Sequence, residues 1–183
     1  MTVDIIVEAA VRVLRNGGYA GLTTRRVAEV AGASVGSLYQ YFPNRRAIAA
    51  ELVRRRADGV LRVLEATDVS GAATLGDAVA ILMESLLEEK RPWLWLSVAL
   101  ADAMPEIEGR RLVIERARQS LPVLAAKLAP CVGGTTPDAR RLAVAAAAVE
   151  GAIWEAIAGD PAIVAAPTFK HTLTRIFMAA LVA

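Results

Sequence analysis

The sequence predicts an all-α protein in which a small N-terminal helical domain is followed by a larger C-terminal helical bundle. Hydrophobic residues make up 55% of the 183 residues and aromatic residues only 5%, with alanine supplying much of the apolar fraction. Because alanine favours helices and is depleted in strands, this composition suits packed helices better than sheets. Apolar residues recur at helical spacing, and no segment shows the alternation expected of a strand. A chain of this length can bury a core and hold one large or two small domains.

Four helices are predicted in the first 66 residues. Side chains that can accept a hydrogen bond from the free N–H groups of a first helical turn precede the second, third and fourth. These capping residues are Thr23-Thr24, Ser34 and Asn44. Helix-interrupting residues separate the helices, at Gly17-Gly18, Gly32 and Pro43. The predicted helices are 5–16, 24–31, 35–42 and 45–66.

A polar, glycine-containing segment at 67–74 is predicted as a hinge before the C-terminal bundle. Proline and glycine then divide the rest of the chain into five predicted helices. These are 75–90, 92–102, 106–129, 138–158 and 167–182. We expect a helix-turn-helix domain at 1–46 and a ligand-binding and dimerisation domain at 47–183, connected by helix 45–66.

The charge distribution favours a polyanionic partner for the N-terminal part. Residues 1–66 contain 10 Arg and 6 Asp or Glu, a balance of +4, whereas the remaining residues carry 11 Lys or Arg and 13 Asp or Glu, a balance of −2. A positive surface of this kind attracts nucleic acid, although four charges can equally be a solvated face.

No segment is expected to cross a membrane. The longest stretch without a charge, 30–44, is interrupted by glycine, serine, glutamine and tyrosine, and a spanning helix needs about 20 mostly apolar residues. Asp4 and Glu8 lie where a secretory signal would be apolar. The sequence therefore predicts a soluble cytoplasmic protein.

The sequence contains few side chains that could serve in catalysis or metal binding. Cys131, in the predicted loop 130–137, is the only cysteine, which excludes an internal disulfide and a cysteine-based zinc site. His171 is the only histidine and has no cysteine or carboxylate cluster near it in sequence. No phosphate loop and no GxSxG or HExxH motif occurs. We expect no enzyme activity, no cofactor and no metal.

The third predicted helix has the character of a helix that contacts DNA. At 100° per residue, Val35, Leu38 and Phe42 lie on one side with Tyr39 at its edge. The opposite side carries a hydroxyl, an amide and a phenol, which are groups that reach base edges or phosphates. That side consists of Gly36, Ser37, Gln40 and Tyr41. Thr24, Arg25 and Arg45, at the starts of the flanking helices, are candidate phosphate contacts. An ordinary three-helix bundle with a polar surface is the alternative.

Several short runs in the first 52 residues carry a family resemblance. They are Ala9-Ala10, Gly17-Gly18-Tyr19, Leu22-Thr23-Thr24, Val27-Ala28, Ala31-Gly32-Ala33-Ser34, Gly36-Ser37-Leu38-Tyr39 and Tyr41-Phe42-Pro43-Asn44-Arg45. In order and spacing, residues 3–52 resemble the DNA-binding domain of the tetracycline-repressor (TetR) family of bacterial regulators.

The resemblance implies a role for each matching position. Thr24 and Arg25 correspond to phosphate contacts, as does Arg45 at a position that is more often lysine. Gly36, Ser37 and Gln40 correspond to base contacts. Tyr39 and Tyr41 correspond to backbone contacts, and Val35 either touches a thymine methyl or packs internally. With Ser34, the predicted DNA-binding residues are Thr24, Arg25, Ser34, Val35, Gly36, Ser37, Tyr39, Gln40, Tyr41 and Arg45.

Beyond residue 66 the resemblance is one of architecture, and it implies a small-molecule site and a dimer. Helices 138–158 and 167–182 carry apolar stripes suited to a dimer interface, with internal core packing as the alternative. Few charges interrupt the apolar faces, which favours a hydrophobic effector. Plain core packing is the alternative for each candidate ligand residue. The candidates are Met83, Leu86, Leu87, Trp93, Trp95, Met104, Val113, Glu150 and Trp154.

Together these features predict a homodimeric one-component transcriptional regulator, most simply a repressor. It would bind a near-palindromic operator of double-stranded DNA and be released by a small effector. The alternative from another class is an all-α ligand-binding or enzymatic domain with a vestigial helix-turn-helix. Clustered catalytic side chains at helical spacing would favour that alternative, and the sequence lacks them.

Overall fold

The computed structural model describes residues 2–133 and 137–182, so part of the predicted loop 130–137 lies outside the described residues. Within these ranges every regular element is a helix, which confirms the all-α class. Short 3-10 turns occur at Arg91–Trp93, Ala101–Ala103 and Ala129–Val132. The α-helices are α1 (Val3–Gly21), α2 (Thr24–Val30), α3 (Val35–Tyr39), α4 (Arg45–Ala66), α5 (Leu75–Lys90), α6 (Leu94–Leu100), α7 (Gly109–Leu128), α8 (Ala139–Gly159), α9 (Ala162–Ala165) and α10 (Pro167–Val182).

The chain forms two compact units, each of which combines two segments. Unit 1 consists of Met1–Arg56 and Trp95–Val113, and unit 2 of Ala57–Leu94 and Ile114–Ala183. The segment 67–74, expected as a hinge, lies inside unit 2, where Val69 is buried. The Nζ of Lys127 donates to the carbonyl of Thr67 at 2.7 Å. The functional boundary between residues 46 and 47 stays a prediction.

Capping residues set the starts of the N-terminal helices as the sequence predicted. The Oγ1 of Thr23 accepts a hydrogen bond from the Arg26 N–H at 3.2 Å, at the start of α2. The Oδ1 of Asn44 accepts one from the Ala47 N–H at 3.0 Å, at the start of α4. Each cap satisfies an N–H group that has no partner within its helix.

Among the first four helices, two ends differ from their predicted positions by three residues or more. The first helix was expected to end at residue 16, but α1 continues to Gly21 across a non-helical Gly18 with φ of 56°. Glycine adopts this left-handed conformation at little cost, so it kinks the helix without ending it. The third helix was expected over 35–42, but α3 ends at Tyr39, and Gln40 and Tyr41 form a turn.

Unit 2 is built around α5, α8 and α10. Helix α5 begins with a reciprocal capping box, in which the Thr74 hydroxyl accepts from the Asp77 N–H and the Asp77 carboxylate accepts from the Thr74 N–H. The three helices bury a continuous apolar cluster. Its most enclosed side chains include Leu82, Leu87, Leu142, Ile153, Leu173 and Phe177. The short helix α9, which the sequence did not predict, adds Val164 to this core.

Helix α8 is unusually apolar for a helix with an exposed side. It is long and apolar enough to cross a membrane by length and composition, although only 28% of its most apolar window is buried. Glu150 and Glu155 interrupt this apolar stretch, and the expectation that no segment crosses a membrane stays a prediction. One such helix is weak evidence for a membrane span, and an exposed apolar face also marks protein interfaces.

Candidate nucleic-acid interface

Helix α3 is anchored on one side and exposed on the other. Leu38 is fully buried and Phe42, just beyond the helix, is 7% exposed, whereas Tyr39 is 51% and Tyr41 43% exposed. Gln40 is also exposed. Val35 was expected on the buried side or against a thymine methyl, and its side chain is on the exposed side. The structure therefore presents an amide, two phenols and one branched apolar group outward.

The turn before α3 is fixed by backbone geometry and by a serine cap. Gly32 has a φ of 67°, and the Ala33 N–H donates to the Ala28 carbonyl at 2.9 Å, which ends α2 in a glycine-dependent turn. The Oγ of Ser34 then accepts from the Ser37 N–H at 3.0 Å and lies 2.9 Å from the Ser37 Oγ. The Ser34 hydroxyl thus positions α3 and also orients the hydroxyl of a predicted base contact.

Gly36 is not required by the packing of the protein. A Cβ added there would lie 3.8 Å from the Ser34 Oγ, which is ordinary van der Waals distance. Because glycine costs about 1 kcal/mol relative to alanine within a helix, its presence needs another explanation. A close approach of another molecule to the backbone of α3 provides one.

A hydroxyl pair joins the start of α2 to the end of α3. The Oγ1 of Thr24 and the phenol oxygen of Tyr39 are 3.3 Å apart. Arg25, the next residue along α2, is exposed. Two of the predicted contacts, Thr24 and Tyr39, therefore lie side by side.

Arg45, the predicted phosphate contact at the start of α4, lies in a cluster that the sequence did not predict. Its Nη2 is 3.7 Å from the Oε1 of Glu106, and the Nε of Arg46 donates to Glu106 Oε2 at 3.2 Å. The Tyr19 hydroxyl donates to the same Oε2 at 3.0 Å. The Arg45 guanidinium also lies 4.6 Å from the centre of the Tyr19 ring. We call Tyr19, Arg45, Arg46 and Glu106 the Glu106 cluster.

The cluster shifts the titration of its own members. The Tyr19 hydrogen bond lowers the pKa of Glu106, and the positive charges of Arg45 and Arg46 lower it further. Burial raises the pKa of Tyr19, and its hydrogen bond to Glu106 raises it further. Glu106 is therefore held as a carboxylate beside two guanidinium groups.

Sequence reasoning missed Arg46 and Glu106. Arg46 adjoins a residue that was singled out, so the Arg45-Arg46 pair itself was a usable signal. Glu106 lies 60 residues from Arg46 and belongs to no motif. Only the folded chain brings its carboxylate to α1 and α4.

The nine predicted ligand residues divide between the two units. Trp95, Met104 and Val113 belong to unit 1. The remaining six belong to unit 2, where three are core residues, as the alternative interpretation held. These three are Met83, Leu86 and Leu87.

The charged candidate Glu150 lies in a half-buried ion pair within unit 2. Its carboxylate is 3.1 Å from the Nζ of Lys90, and the two side chains are 18% and 20% exposed. Trp93 and Trp154 of the same unit are half-buried. A ligand that used Glu150 would therefore meet Lys90 as well.

Among residues 2–133 and 137–182, no group of three or more histidine, cysteine, aspartate or glutamate side chains is placed to hold a metal ion.

Comparison with known families decides how the exposed face of α3 is interpreted. Residues 6–52 match the family model described as bacterial regulatory proteins, tetR family. This is a tetR-family DNA-binding domain. The resemblance found in the sequence is confirmed for this segment of the chain. No curated protein sequence is significantly similar to it.

Solved structures of tetR-type regulators share the fold of the whole chain. FadR from Bacillus subtilis, in complex with stearoyl-CoA, is 19% identical with a TM-score of 0.68, over 99% of this chain and 98% of that one. The multidrug binding protein EbrR, complexed with imidazole, is 21% identical with a TM-score of 0.67, over 99% and 95%. PfmR from Thermus thermophilus is 19% identical with a TM-score of 0.63, over 96% of each chain.

Proposed function

We propose that this protein regulates transcription by placing α3 in the major groove of an operator. The observation that carries the proposal is the two-sided character of α3 within a tetR-family domain. Leu38 is buried and anchors the helix, while Tyr39, Gln40 and Tyr41 are exposed. The major groove of B-DNA is about 12 Å wide and admits one helix.

The side chains around α3 divide into two kinds of contact. Gln40 is the best candidate for base recognition, because an amide can bond adenine at two positions. Ser37 and the Gly36 backbone lie beside it, with Val35 available to a thymine methyl. The groups that flank the helix contact phosphates, and these contacts fix the register of the helix on the duplex. These groups are Thr24, Arg25, Ser34, Tyr39, Tyr41 and Arg45.

The regulator acts as a dimer in this proposal, and a second copy covers the exposed side of α8. Val144 is 59% exposed, and Ala147, Gly151 and Glu155 are exposed with it. At 100° per residue these four positions lie on one face, which we call the α8 face. Small side chains let two helices approach closely. A Cβ added at Gly151 would meet no atom within 4 Å, so internal packing does not require glycine there.

The charges on α8 favour a two-fold, antiparallel pairing. Arg140 lies near the N-terminal end of the same face and Glu155 near its C-terminal end. An antiparallel crossing between Ala147 and Ala148 places Arg140 opposite Glu155, and Val144 opposite Gly151. An isologous interface requires this kind of self-complementarity. Helix α10 packs on α8 and extends the interface, as helices 138–158 and 167–182 were predicted to do.

The effector in this proposal is a small, mostly apolar molecule bound in the C-terminal helical part, and its binding releases DNA. The apolar core of unit 2 and its half-buried Trp93 and Trp154 support an apolar ligand. The similar structure of FadR holds stearoyl-CoA, which fits a ligand with a long apolar part. Release requires that the effector bind the DNA-free state more tightly than the DNA-bound state. The protein would act in the cytoplasm, as a repressor.

Selection of binding sites from a pool of random duplexes tests the function. We expect the full-length protein to enrich one near-palindromic sequence, with half-sites about one helical turn or somewhat more apart. Affinity for the enriched duplex should fall with salt and should exceed affinity for a scrambled duplex at every salt concentration. Enrichment of no sequence, with equal salt-dependent binding to all duplexes, would contradict the proposal.

A further inference from the structure

A turn in unit 1 carries Glu106. Within 101–109, Glu108 has a left-handed φ of 50°, and the Gly109 N–H donates to the Met104 carbonyl at 2.9 Å. A Cβ on Gly109 would lie 2.5 Å from the Met104 sulfur, at the flexible end of that side chain. Ala103 and Ile107 are buried beneath the turn. Glu106 lies between these two buried residues.

The Glu106 carboxylate occupies the position that an anion would take beside Arg45 and Arg46. It lies 3.7 Å from Arg45 Nη2 and 3.2 Å from Arg46 Nε, and it accepts a hydrogen bond from the Tyr19 hydroxyl at 3.0 Å. Carboxylates and phosphates offer guanidinium groups the same planar, charge-assisted contact. A DNA phosphate that binds Arg45 must therefore share or displace this carboxylate.

We propose that the Glu106 carboxylate competes with DNA phosphate for Arg45 and Arg46. Because it pairs with both guanidinium groups, it lowers the affinity of the regulator for DNA. The inference rests on the proposed DNA-binding function. We call this competition by Glu106 the internal brake on DNA binding. A state in which the turn 101–109 moves away frees both guanidinium groups, and the turn thereby becomes a control point for DNA affinity.

The competition predicts both a change in affinity and a change in salt dependence. An exposed ion pair contributes little, so loss of the carboxylate should tighten DNA binding only about two- to fivefold for each subunit. Each arginine newly available to phosphate steepens the slope of log affinity against log salt by about 0.9. The two arginines together set an upper limit of about two for each subunit.

The test compares Glu106→Gln with Glu108→Gln in the full-length protein. Both variants remove one negative charge from the same turn, but Glu108 pairs with Arg111, at 3.3 Å, and belongs to no part of the Glu106 cluster. Fluorescence anisotropy measures binding to one random-sequence duplex and to the enriched operator, over a series of KCl concentrations. We expect Glu106→Gln to bind both duplexes more tightly than Glu108→Gln and with a steeper salt slope.

A second variant separates contact from net charge. Glu106→Asp keeps the charge but shortens the side chain by one methylene, and it should also bind more tightly than wild type. The inference is overturned if Glu106→Gln binds no better than Glu108→Gln, or binds more weakly because Glu106 orients Arg45 for its phosphate. If wild type binds no duplex at low salt, the proposed function itself fails. If wild type binds and only the difference between variants is missing, the function stands without the brake.

Discussion

Gln40 and Arg45 carry different kinds of information at the residue scale. Gln40 is exposed at the end of α3, where its amide can be matched to a base edge. Arg45 is the first residue of α4, and its guanidinium can pair with a phosphate whatever the base sequence. A substitution at each position should therefore affect DNA binding in a different way.

Gln40→Ala should relax sequence preference and Arg45→Ala should weaken binding to all duplexes. We expect Gln40→Ala to cost about 1–3 kcal/mol at one base-pair position of each half-site, with little change on a scrambled duplex. Arg45→Ala should lower affinity for operator and scrambled DNA alike and flatten the salt slope by at most about one phosphate per subunit, since Glu106 competes for the same guanidinium. Anisotropy titrations against single-base operator variants measure both effects. Equal losses by both variants on every duplex would show that the assigned roles are wrong.

The Glu106 cluster predicts a pH-dependent contribution to stability. Because the pKa of Glu106 is lower in the folded chain, its carboxylate stabilises the fold above the ordinary Glu pKa. That contribution is lost as the pH falls through the lowered pKa. The unfolding midpoints of wild type and Glu106→Gln in urea should therefore differ at pH 7 and converge in acid below the ordinary Glu range. A difference that stays constant down to about pH 3, below the ordinary Glu pKa, would contradict the assigned contacts.

At the element scale, one buried side chain fixes the orientation of α3. The helix has a single buried residue, Leu38, among Val35–Tyr39, and its first turn depends on the Ser34 cap. So short a helix has little stability of its own, because few hydrogen bonds offset the cost of nucleation. Packing by Leu38 must supply most of what holds it.

Leu38→Ala should therefore destabilise the protein far more than Val35→Ala. Truncating a fully buried leucine costs about 2–5 kcal/mol, whereas a change at the exposed Val35 should stay within about 0.5 kcal/mol. Urea denaturation followed by circular dichroism measures both free energies of unfolding. Similar values for the two variants would show that α3 is not anchored through Leu38.

Local sequence signals predicted the starts of the N-terminal helices well. The caps at Thr23, Ser34 and Asn44 form as expected, because a cap involves only neighbouring residues. The end of α1 was mispredicted, since Gly18 can kink a helix as readily as end it. The end of α3 was also mispredicted: Phe42 is buried as expected but is not helical, since helical backbone is disfavoured before Pro43.

At the scale of the whole molecule, the proposed dimer brings a second DNA-contacting domain to the operator through the α8 face. An operator with two half-sites requires two copies of α3, so dimerisation and sequence recognition are linked. The apolar stripe of α8 was visible in the sequence. The exposure of Val144 and Gly151 required the structure, because an apolar stripe looks the same in a core and in an interface.

Gly151→Arg should convert the dimer to a monomer without unfolding it. The new side chain points into open space within one chain, and arginine favours a helix over glycine by up to about 1 kcal/mol. In the paired molecule it would meet Val144 of the second copy. Analytical ultracentrifugation measures the mass, and Ala126→Arg, at an exposed position of α7, is the control. A Gly151→Arg protein that remains a dimer would contradict the proposed interface.

The Glu106 cluster could not be predicted from the sequence. The ten candidate DNA contacts came from a local segment and a family resemblance, and the structure brings Thr24 to Tyr39 and Ser34 to Ser37. The partner of Arg45 comes from a turn that lies 60 residues along the chain from Arg46. No spacing rule connects these residues.

Methylation of operator DNA by dimethyl sulfate tests most directly whether α3 lies in the major groove. The reagent attacks guanine N7, which faces the major groove, and adenine N3, which faces the minor groove. Bound protein should protect guanine N7 in two patches, one in each half-site, and Gln40→Ala should weaken the protection within those patches. Protection confined to adenine N3, or no protected guanine at saturating protein, would contradict the central claim.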